Sequence, residues 1–325
     1  MSRAPRSVFV TGASGFVGRA LAAHYRAADA EVRGVDQVAD PSLAVVAGDT
    51  SIEGEWMRAM EGCELVVHTA ALVSLRGDAR RFWEVNVLGT RRVIDAAIRA
   101  GAARFVHISS VTAFGFEFPN DVDERWPVRT NGSPYVDTKV ASEQVVLSAH
   151  AAGELACTVI RPGDVYGPGS RPWTILPVQL LRSGKFVLPA GGQGVFSPVY
   201  IDNLVAGIAA AAASPEAAGQ VFTLTDGIGV STRDFFGRYA TLLGVRAPLC
   251  APTGVATALA SVVGAVDRAR GVNQEINAAS VAYLARRGTY SIEKARRVLG
   301  YAPAVGLDEG FARTARWLRD QGMLP

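Results

Sequence analysis

Short apolar runs alternate with stretches of helical spacing through the first half of the chain. Ser7 to Val10, Glu31 to Val35, Leu43 to Ala47, Glu64 to Thr69 and Arg104 to Ser109 each read as a strand. Leu155 to Ile160 and Val221 to Leu224 follow as later strands. Between the first two, Phe16 to about Ala28 carries helical periodicity. Between the fourth and fifth, Phe82, Val85, Leu88 and Val93 recur on one face of a helix running from Phe82 to Ala100, which Gly101 stops. Strands that are apolar nearly throughout, rather than alternating, are expected where a parallel sheet is covered on both faces. The predicted fold class is therefore α/β, a doubly wound parallel sheet of Rossmann type built from right-handed strand–helix–strand units.

From about Tyr166 the texture changes. Pro168, Gly169, Pro172, Pro177, Gly184, Pro189, Gly191 and Gly192 punctuate the chain and the alternation lapses. This predicts a sheet domain over 1–165 plus about 198–226, and a smaller, mostly helical lobe over 166–197 and 227–325. The strands near 199 and 221 are both expected to return to the first sheet. Ala247 to Val266 holds no charge over 20 residues, the length of a membrane span. Pro248, Pro252, Gly254 and Gly264 with little leucine point instead to a buried or substrate-covering helix. A helix lying on a membrane surface is the alternative, and a true span is the least favoured.

Composition narrows the class. The 325 residues are 49% hydrophobic and 19% charged, a globular profile that excludes disordered, collagenous and coiled-coil chains. A net charge of +3 with both signs interspersed gives no reason to expect nucleic acid as a partner. Cys63, Cys157 and Cys250 have no CxxC spacing, so neither a disulfide framework nor a metal site follows, which fits a reducing, cytoplasmic setting. The first residues run directly into a strand and are too short for a signal segment.

After the first strand comes Thr11-Gly-Ala-Ser-Gly-Phe-Val-Gly18, with Gly12, Gly15 and Gly18 three apart at a strand-to-helix turn. Such glycines suit a tight turn, a backbone approaching a pyrophosphate and a helix packed close on a strand, with the helix N-terminus facing the phosphates. By itself the motif fits a plain tight turn equally well. Asp36 strengthens the dinucleotide reading: it ends the second strand 18 residues after Gly18, where a carboxylate would accept from ribose hydroxyls and repel a 2′-phosphate. That favours NAD over NADP. Phe16 and Val17 at the turn, and Asp49 and Thr50 after the third strand, join the candidate cofactor contacts.

Tyr135 and Lys139 form a YxxxK pair, which a helix would project from one face. A free phenol with a pKa of ~10 is a poor base at neutral pH, and a nearby ammonium would lower it. Isolated YxxxK pairs are usually surface residues. Here Ser109 and Ser110 close the fifth strand 25 residues before Tyr135, at the strand end where open α/β sheets bind ligands.

Taken together, TGASGFVG (11–18), Asp36, VVHTAA (66–71), NVLGT (86–90), HISSVTAFG (107–115), YVDTK (135–139), RPGDVYGPG (161–169), VYIDN (199–203) and YSIEKARRVLGYAP (290–303) resemble the extended short-chain dehydrogenase/reductases over nearly the whole chain. The resemblance implies that Tyr135 is the general acid/base, that Lys139 lowers its pKa and holds the nicotinamide ribose, and that Ser110 binds the substrate oxygen, with Thr112 assisting. Ala70, Ala71, Asn86, Ser109, Pro162, Gly163 and Val165 resemble cofactor-lining positions. His68 and His107 lie within strands and are expected as core residues with satisfied ring nitrogens. Family members commonly pair as homodimers through the helices near 86–100 and 135–150.

Within that family, Ser110-Val111-Thr112 lacks the carboxylates of sugar dehydratases, and Gln193 to Pro198 is apolar where epimerases often hold a diphosphate with arginine. What remains resembles the 3β-hydroxysteroid dehydrogenase-like branch, implying NAD-linked oxidoreduction of an apolar secondary alcohol or ketone. Phe114, Phe116, Phe118, Trp173 and Phe196 are candidates for lining the substrate pocket, at least half of them as ordinary core, and Tyr166 joins Thr112, Phe114 and Phe196 as a candidate substrate contact. A nucleotide-sugar 4-epimerase using Arg171 or Arg182 is the alternative, and an NAD-sensing binding protein with vestigial catalysis is a third reading.

Overall fold

The computed structural model describes residues 4–74, 77–269 and 277–324. Its strands in chain order are β1 (Ser7–Thr11), β2 (Glu31–Asp36), β3 (Val45–Ala47), β4 (Leu65–His68), β5 (Arg104–Ile108), β6 (Ala156–Pro162), β7 (Asp164–Tyr166), β8 (Val187–Leu188), β9 (Val195–Phe196), β10 (Pro198–Tyr200), β11 (Val221–Leu224), β12 (Val230–Ser231) and β13 (Leu249–Cys250). Seven of them form one parallel sheet in the order β11-β6-β5-β4-β1-β2-β3. The order reverses at β1, between β4 and β2, and that reversal opens a crevice at the strands' C-terminal ends.

The helices are α1 (Phe16–Ala27), α2 (Ala79–Phe82), α3 (Gly89–Arg99), α4 (Pro134–Ala151), α5 (Leu176–Arg182), α6 (Ile201–Ala213), α7 (Thr232–Leu243), α8 (Thr253–Ala269) and α9 (Ala278–Ala285), with two more near the C-terminus. They cover both faces of the sheet. Val8 and Val10 of β1 enter one core with Leu21 and Tyr25 of α1, whereas Phe9 between them joins Val66, Ile94, Val146 and Trp56 on the other face. That alternation explains why the strand reads as continuously apolar: every residue is inward for one layer or the other.

Four expectations need correction. Leu43 is not in the third strand; Pro41–Leu43 forms a 3-10 turn and the strand starts at Val45. The helix expected from Phe82 to Ala100 is α2 and α3 joined by a π-helical turn over Trp83–Leu88. β11 returns to the large sheet beside β6, but β10 pairs with β7 in a separate parallel ribbon. Finally, α8, expected as a buried or substrate-covering helix, is not a buried one. One narrow edge, Ala256, Ala260 and Gly264, is buried, while Val255, Leu259, Val262 and Val263 are exposed. No helix among the described residues is long and apolar enough to cross a membrane.

Behind β9 the second part of the chain is filled by rings. Phe196 stacks on Phe235 with centroids 3.9 Å apart, and Trp173, Phe236, Tyr166 and Phe311 close around them. The three cysteines are free, with Cys63 and Cys157 buried.

Candidate active site

The turn after β1 is shaped by missing side chains. Gly12 has φ +67°, and a Cβ there would stand 2.9 Å from the Ala70 amide nitrogen and from Thr69 Oγ1. A Cβ on Gly18 would lie 2.1 Å from the Gly12 carbonyl oxygen. α1 therefore sits directly on the turn, and no side chain caps its N-terminus at Gly15, which leaves the amides of Phe16, Val17 and Gly18 without a side-chain acceptor. An uncapped helix end behind a glycine cradle suits a pyrophosphate. Asp36 closes one side: its carboxylate accepts from the Ser14 amide at 2.9 Å and the Gln37 amide at 2.7 Å.

Asp49 is engaged differently from the expectation of a carboxylate free to touch a cofactor. It accepts from the Ser51 amide at 2.8 Å and pairs with Arg81 at 2.9 Å. Partial burial opposes its ionisation, but the Ser51 hydrogen bonds and Arg81 outweigh that and hold it below the usual carboxylate range. Thr50 is buried, its carbonyl facing Gly89 at the start of α3. Ala70 and Ala71 are half-buried on the far wall, the Ala70 amide donating to Thr11 Oγ1 at 3.2 Å. Gly163 sits where a Cβ would meet the Ser197 carbonyl at 2.5 Å; beside it, Pro162 ends β6 and Val165 is half-buried in β7.

Asn86 joins this cradle to the candidate catalytic helix. Its Oδ1 accepts from the Leu72 amide at 2.8 Å, and its Nδ2 donates to the Leu72 carbonyl and to Thr138 Oγ1, both at 3.1 Å. Asn86 lies in the π-helical turn, whose extra residue re-aims side chains away from ordinary helical positions. Thr138 lies between Tyr135 and Lys139 on α4. A proline at the first turn of α4 fixes where the helix starts, and the i, i+4 spacing then stacks Tyr135, Lys139 and Glu143 along one side.

The Ser110 side chain is close enough to Tyr135 to draw the phenol's pKa down, and its Oγ accepts from the Thr112 amide at 3.1 Å. Lys139 is 3% exposed; its Nζ donates to the Ile108 carbonyl at 2.7 Å and lies 5.9 Å from the centre of the Tyr135 ring. Burial works against the acidity expected of the phenol. Burial pushes the Tyr135 phenol up to about 12, with Ser110 only partly offsetting it, and pushes the Lys139 ammonium down to about 8. The lysine's hydrogen bond runs to a backbone carbonyl rather than to the phenol.

Thr112 is buried behind Ser110. Phe114, Tyr166 and Phe196 have no exposed surface, so the faces expected to meet substrate are already taken. Phe114 packs on Tyr290 and under the Arg161 guanidinium, Tyr166 among Tyr200, Phe235 and Phe311, and Phe196 among Trp173, Phe235 and Phe236. Phe116 and Trp173 keep partial exposure and both contact Tyr283. The His68 ring is satisfied by Thr11 at 2.7 Å and Thr90 at 3.0 Å; His107 bonds Ser142 at 2.9 Å, but its Nδ1 has no partner. Burial drives His68 down to about 3 and His107 well below its ordinary value, so both rings are neutral.

Two buried ion pairs went unread in the sequence. Glu143 binds Arg161 through two bonds of 2.9 and 2.7 Å and accepts from Ser109 Oγ at 2.6 Å. Asp164 pairs with Arg286, and both Tyr283 and the Ser197 amide donate to it. The charge of Glu143 four residues beyond Lys139 was a usable signal. Arg286, 122 residues from Asp164, offered none. Among the described residues no group of acidic, histidine or cysteine side chains is placed to hold a metal ion.

An open α/β sheet with a glycine cradle at its switch point and a Tyr–Lys–Ser group at the strand ends defines a nucleotide-cofactor-dependent enzyme class. The model for the NAD dependent epimerase/dehydratase family matches residues 8–224, and the chain belongs to that family. It is 31% identical over 315 residues to the 4-hydroxy-2-methyl-3-oxo-4-farnesyl-3,4-dihydroquinoline-1-oxide ketoreductase of Stigmatella aurantiaca, covering 93% of this chain and 94% of the relative. It is 29% identical to the 3-beta-hydroxysteroid dehydrogenase of Mycolicibacterium neoaurum, covering 96% and 91%. Among solved structures, MoeE5 in complex with UDP-glucose and NAD superposes with a TM-score of 0.78 at 26% identity, covering 97% of this chain and 99% of that one.

Proposed function

We propose that the chain is an NAD-linked oxidoreductase that interconverts a secondary alcohol and a ketone on an apolar, sterol-like, β-hydroxy-lipid or polyketide-like substrate. The observation that carries this reading is the Asn86 bridge, which ties the cradle wall at Leu72 to the helix bearing Tyr135 and Lys139. Gly12, Gly15, Gly18 and Asp36 would hold NAD, which when bound supplies the hydride acceptor or donor.

The protein's own groups handle the proton. With its phenol pushed up to about 12, Tyr135 is protonated at neutral pH and is the proton donor for a ketone oxygen, with Ser110 as the second hydrogen-bond partner for that oxygen. The buried Lys139 cation stabilises negative charge developing there. In the oxidative direction Tyr135 takes the carbinol proton, and the positive charge of a bound nicotinamide lowers its pKa.

The apolar substrate class is supported by charge. Arg161 and Arg286, the two arginines buried in this region, are each neutralised by a carboxylate, so neither is free to hold a diphosphate. The names of the two relatives, a farnesylated quinoline ketoreductase and a steroid dehydrogenase, favour the same class. The UDP-glucose complex favours a nucleotide-sugar 4-epimerase as the second reading.

A panel of sterols, β-hydroxyacyl compounds and UDP sugars, run with NAD⁺ and NADP⁺ while reduced-cofactor absorbance is followed, tests the reading. Turnover of an apolar alcohol with NAD⁺ is expected, reduced ~10²–10⁴-fold in Tyr135→Phe. Thermal stabilisation by UDP-glucose would instead favour the epimerase. Full activity in Tyr135→Phe would remove the phenol from the chemistry.

A further inference from the structure

Glu143 has no exposed surface, yet it carries three hydrogen bonds to two different strands. Ser109 Oγ donates from the end of β5, one residue before Ser110. Arg161 donates twice from β6, one residue before Pro162. The same carboxylate lies one helical turn beyond Lys139. It is therefore the point at which the serine strand end, a cofactor-lining strand end and the Tyr–Lys helix are fastened together.

The surrounding charges give it a second task. Facing Lys139 are Tyr135 and Glu143 on its own helix, His68 on β4 and His107 on β5; Arg161 on β6 acts through Glu143. On the neighbouring α3, Arg91 and Asp95 pair with each other, and Arg91 also pairs with Glu154, in part-exposed bridges. With both histidines neutral, the buried group consists of two cations, Lys139 and Arg161, and one anion. A single positive charge is what remains to meet a developing oxyanion. Without the anion, two cations would share a dry site, and the lysine is the one able to shed its proton.

We propose that Glu143 is a positioning residue of this site, fixing Ser109–Ser110 against α4 and keeping Lys139 charged. The inference rests on the Tyr–Lys–Ser reading, and its test is independent of substrate. The chain has three lysines, Lys139, Lys185 and Lys294, so lysine labelled with ¹³C at Cε gives an NMR titration whose signals Lys→Arg variants assign. Burial already holds the ammonium at about 8, with the Glu143 charge opposing a further fall.

In Glu143→Gln the Lys139 midpoint is expected to drop by about 1 pH unit, while Glu143→Asp, which keeps the charge, stays near the parent. Because Glu143→Gln strands Arg161, the double variant Glu143→Met/Arg161→Met provides a folded alternative; its midpoint is expected to fall less, because the Arg161 cation leaves with the anion and only the attraction of Glu143 for the ammonium is lost. An unmoved midpoint in both charge-removing variants, or an equal fall in Glu143→Asp, overturns the proposal. A midpoint that moves as expected while the alcohol panel stays blank counts against the oxidoreductase reading instead.

Discussion

The glycine turn after β1 and the ring cluster around Phe196 are built by opposite means. The turn exists because side chains are missing: Gly12 and Gly18 bring backbone against backbone at distances where no Cβ fits. The cluster exists because side chains fill everything. Phe196, Phe235 and Phe236 are fully buried, each touching other rings. A surface shaped by absent atoms leaves room for a ligand, whereas a set of aromatic rings stabilises itself first and serves a substrate only where one ring stays open. Of the candidate pocket rings, Phe116, Phe118 and Trp173 keep partial exposure, which makes them better substrate-contact candidates than the buried Phe114 and Phe196.

Substitutions can break that contrast. The largest effect is expected at Phe196→Ala, which removes the central ring of the cluster. A loss of about 3–5 kcal/mol in denaturant unfolding should follow, with cofactor binding retained in the protein that remains folded. If stability hardly changed and turnover of an apolar substrate collapsed, Phe196 would be a pocket residue after all.

Gly18→Ala comes next. Its new methyl would meet the Gly12 carbonyl, a backbone atom that cannot swing aside, so α1 must lift from the turn. We expect about 1–3 kcal/mol of destabilisation together with weaker NAD binding, both measurable by thermal melts with and without NAD⁺. Loss of stability without loss of NAD affinity would reduce the turn to a packing feature. Asp36→Ser should have a smaller effect on stability and act on choice of cofactor. Removing the carboxylate that faces the turn should move the NAD-to-NADP preference about tenfold toward NADP, roughly 1.4 kcal/mol. An unchanged ratio would mean that Asp36 serves the Ser14 and Gln37 amides alone.

The same contrast explains what the sequence could disclose. Backbone-defined features appear as residue types at fixed spacing, so the glycines, Asp36 and the Tyr135–Lys139 pair were legible, and so was the order of apolar strands that makes the sheet. Features defined by long-range side-chain packing were not. Nothing local distinguishes Phe196, sealed under Phe235, from Trp173, which keeps an open edge. Arg286 finds Asp164 only after the chain has folded back across the second lobe. The π-helical turn at Asn86 also escaped notice, because one extra residue shifts a helix's register without changing its apolar composition. Even the chemistry of Tyr135 was legible only by identity: its spacing from Lys139 could be read, but the degree of burial that raises its pKa could not.

α8 falls between the two cases, apolar in sequence yet unburied in the fold. Val262 is 63% exposed and shares its face with Val255 and Leu259, while the inward edge is the small residues Ala256, Ala260 and Gly264. Replacing an exposed valine with serine removes little buried surface, so Val262→Ser should change stability by no more than about 0.5 kcal/mol in denaturant unfolding. Ala260→Leu, on the inward edge, should be costlier because that contact is closely packed against Val281. If the order were reversed, the outward stripe would have to be covered in solution, and the rule that separates the glycine turn from the ring cluster would apply to α8 as well: apolar side chains are spent on packing wherever a partner surface exists.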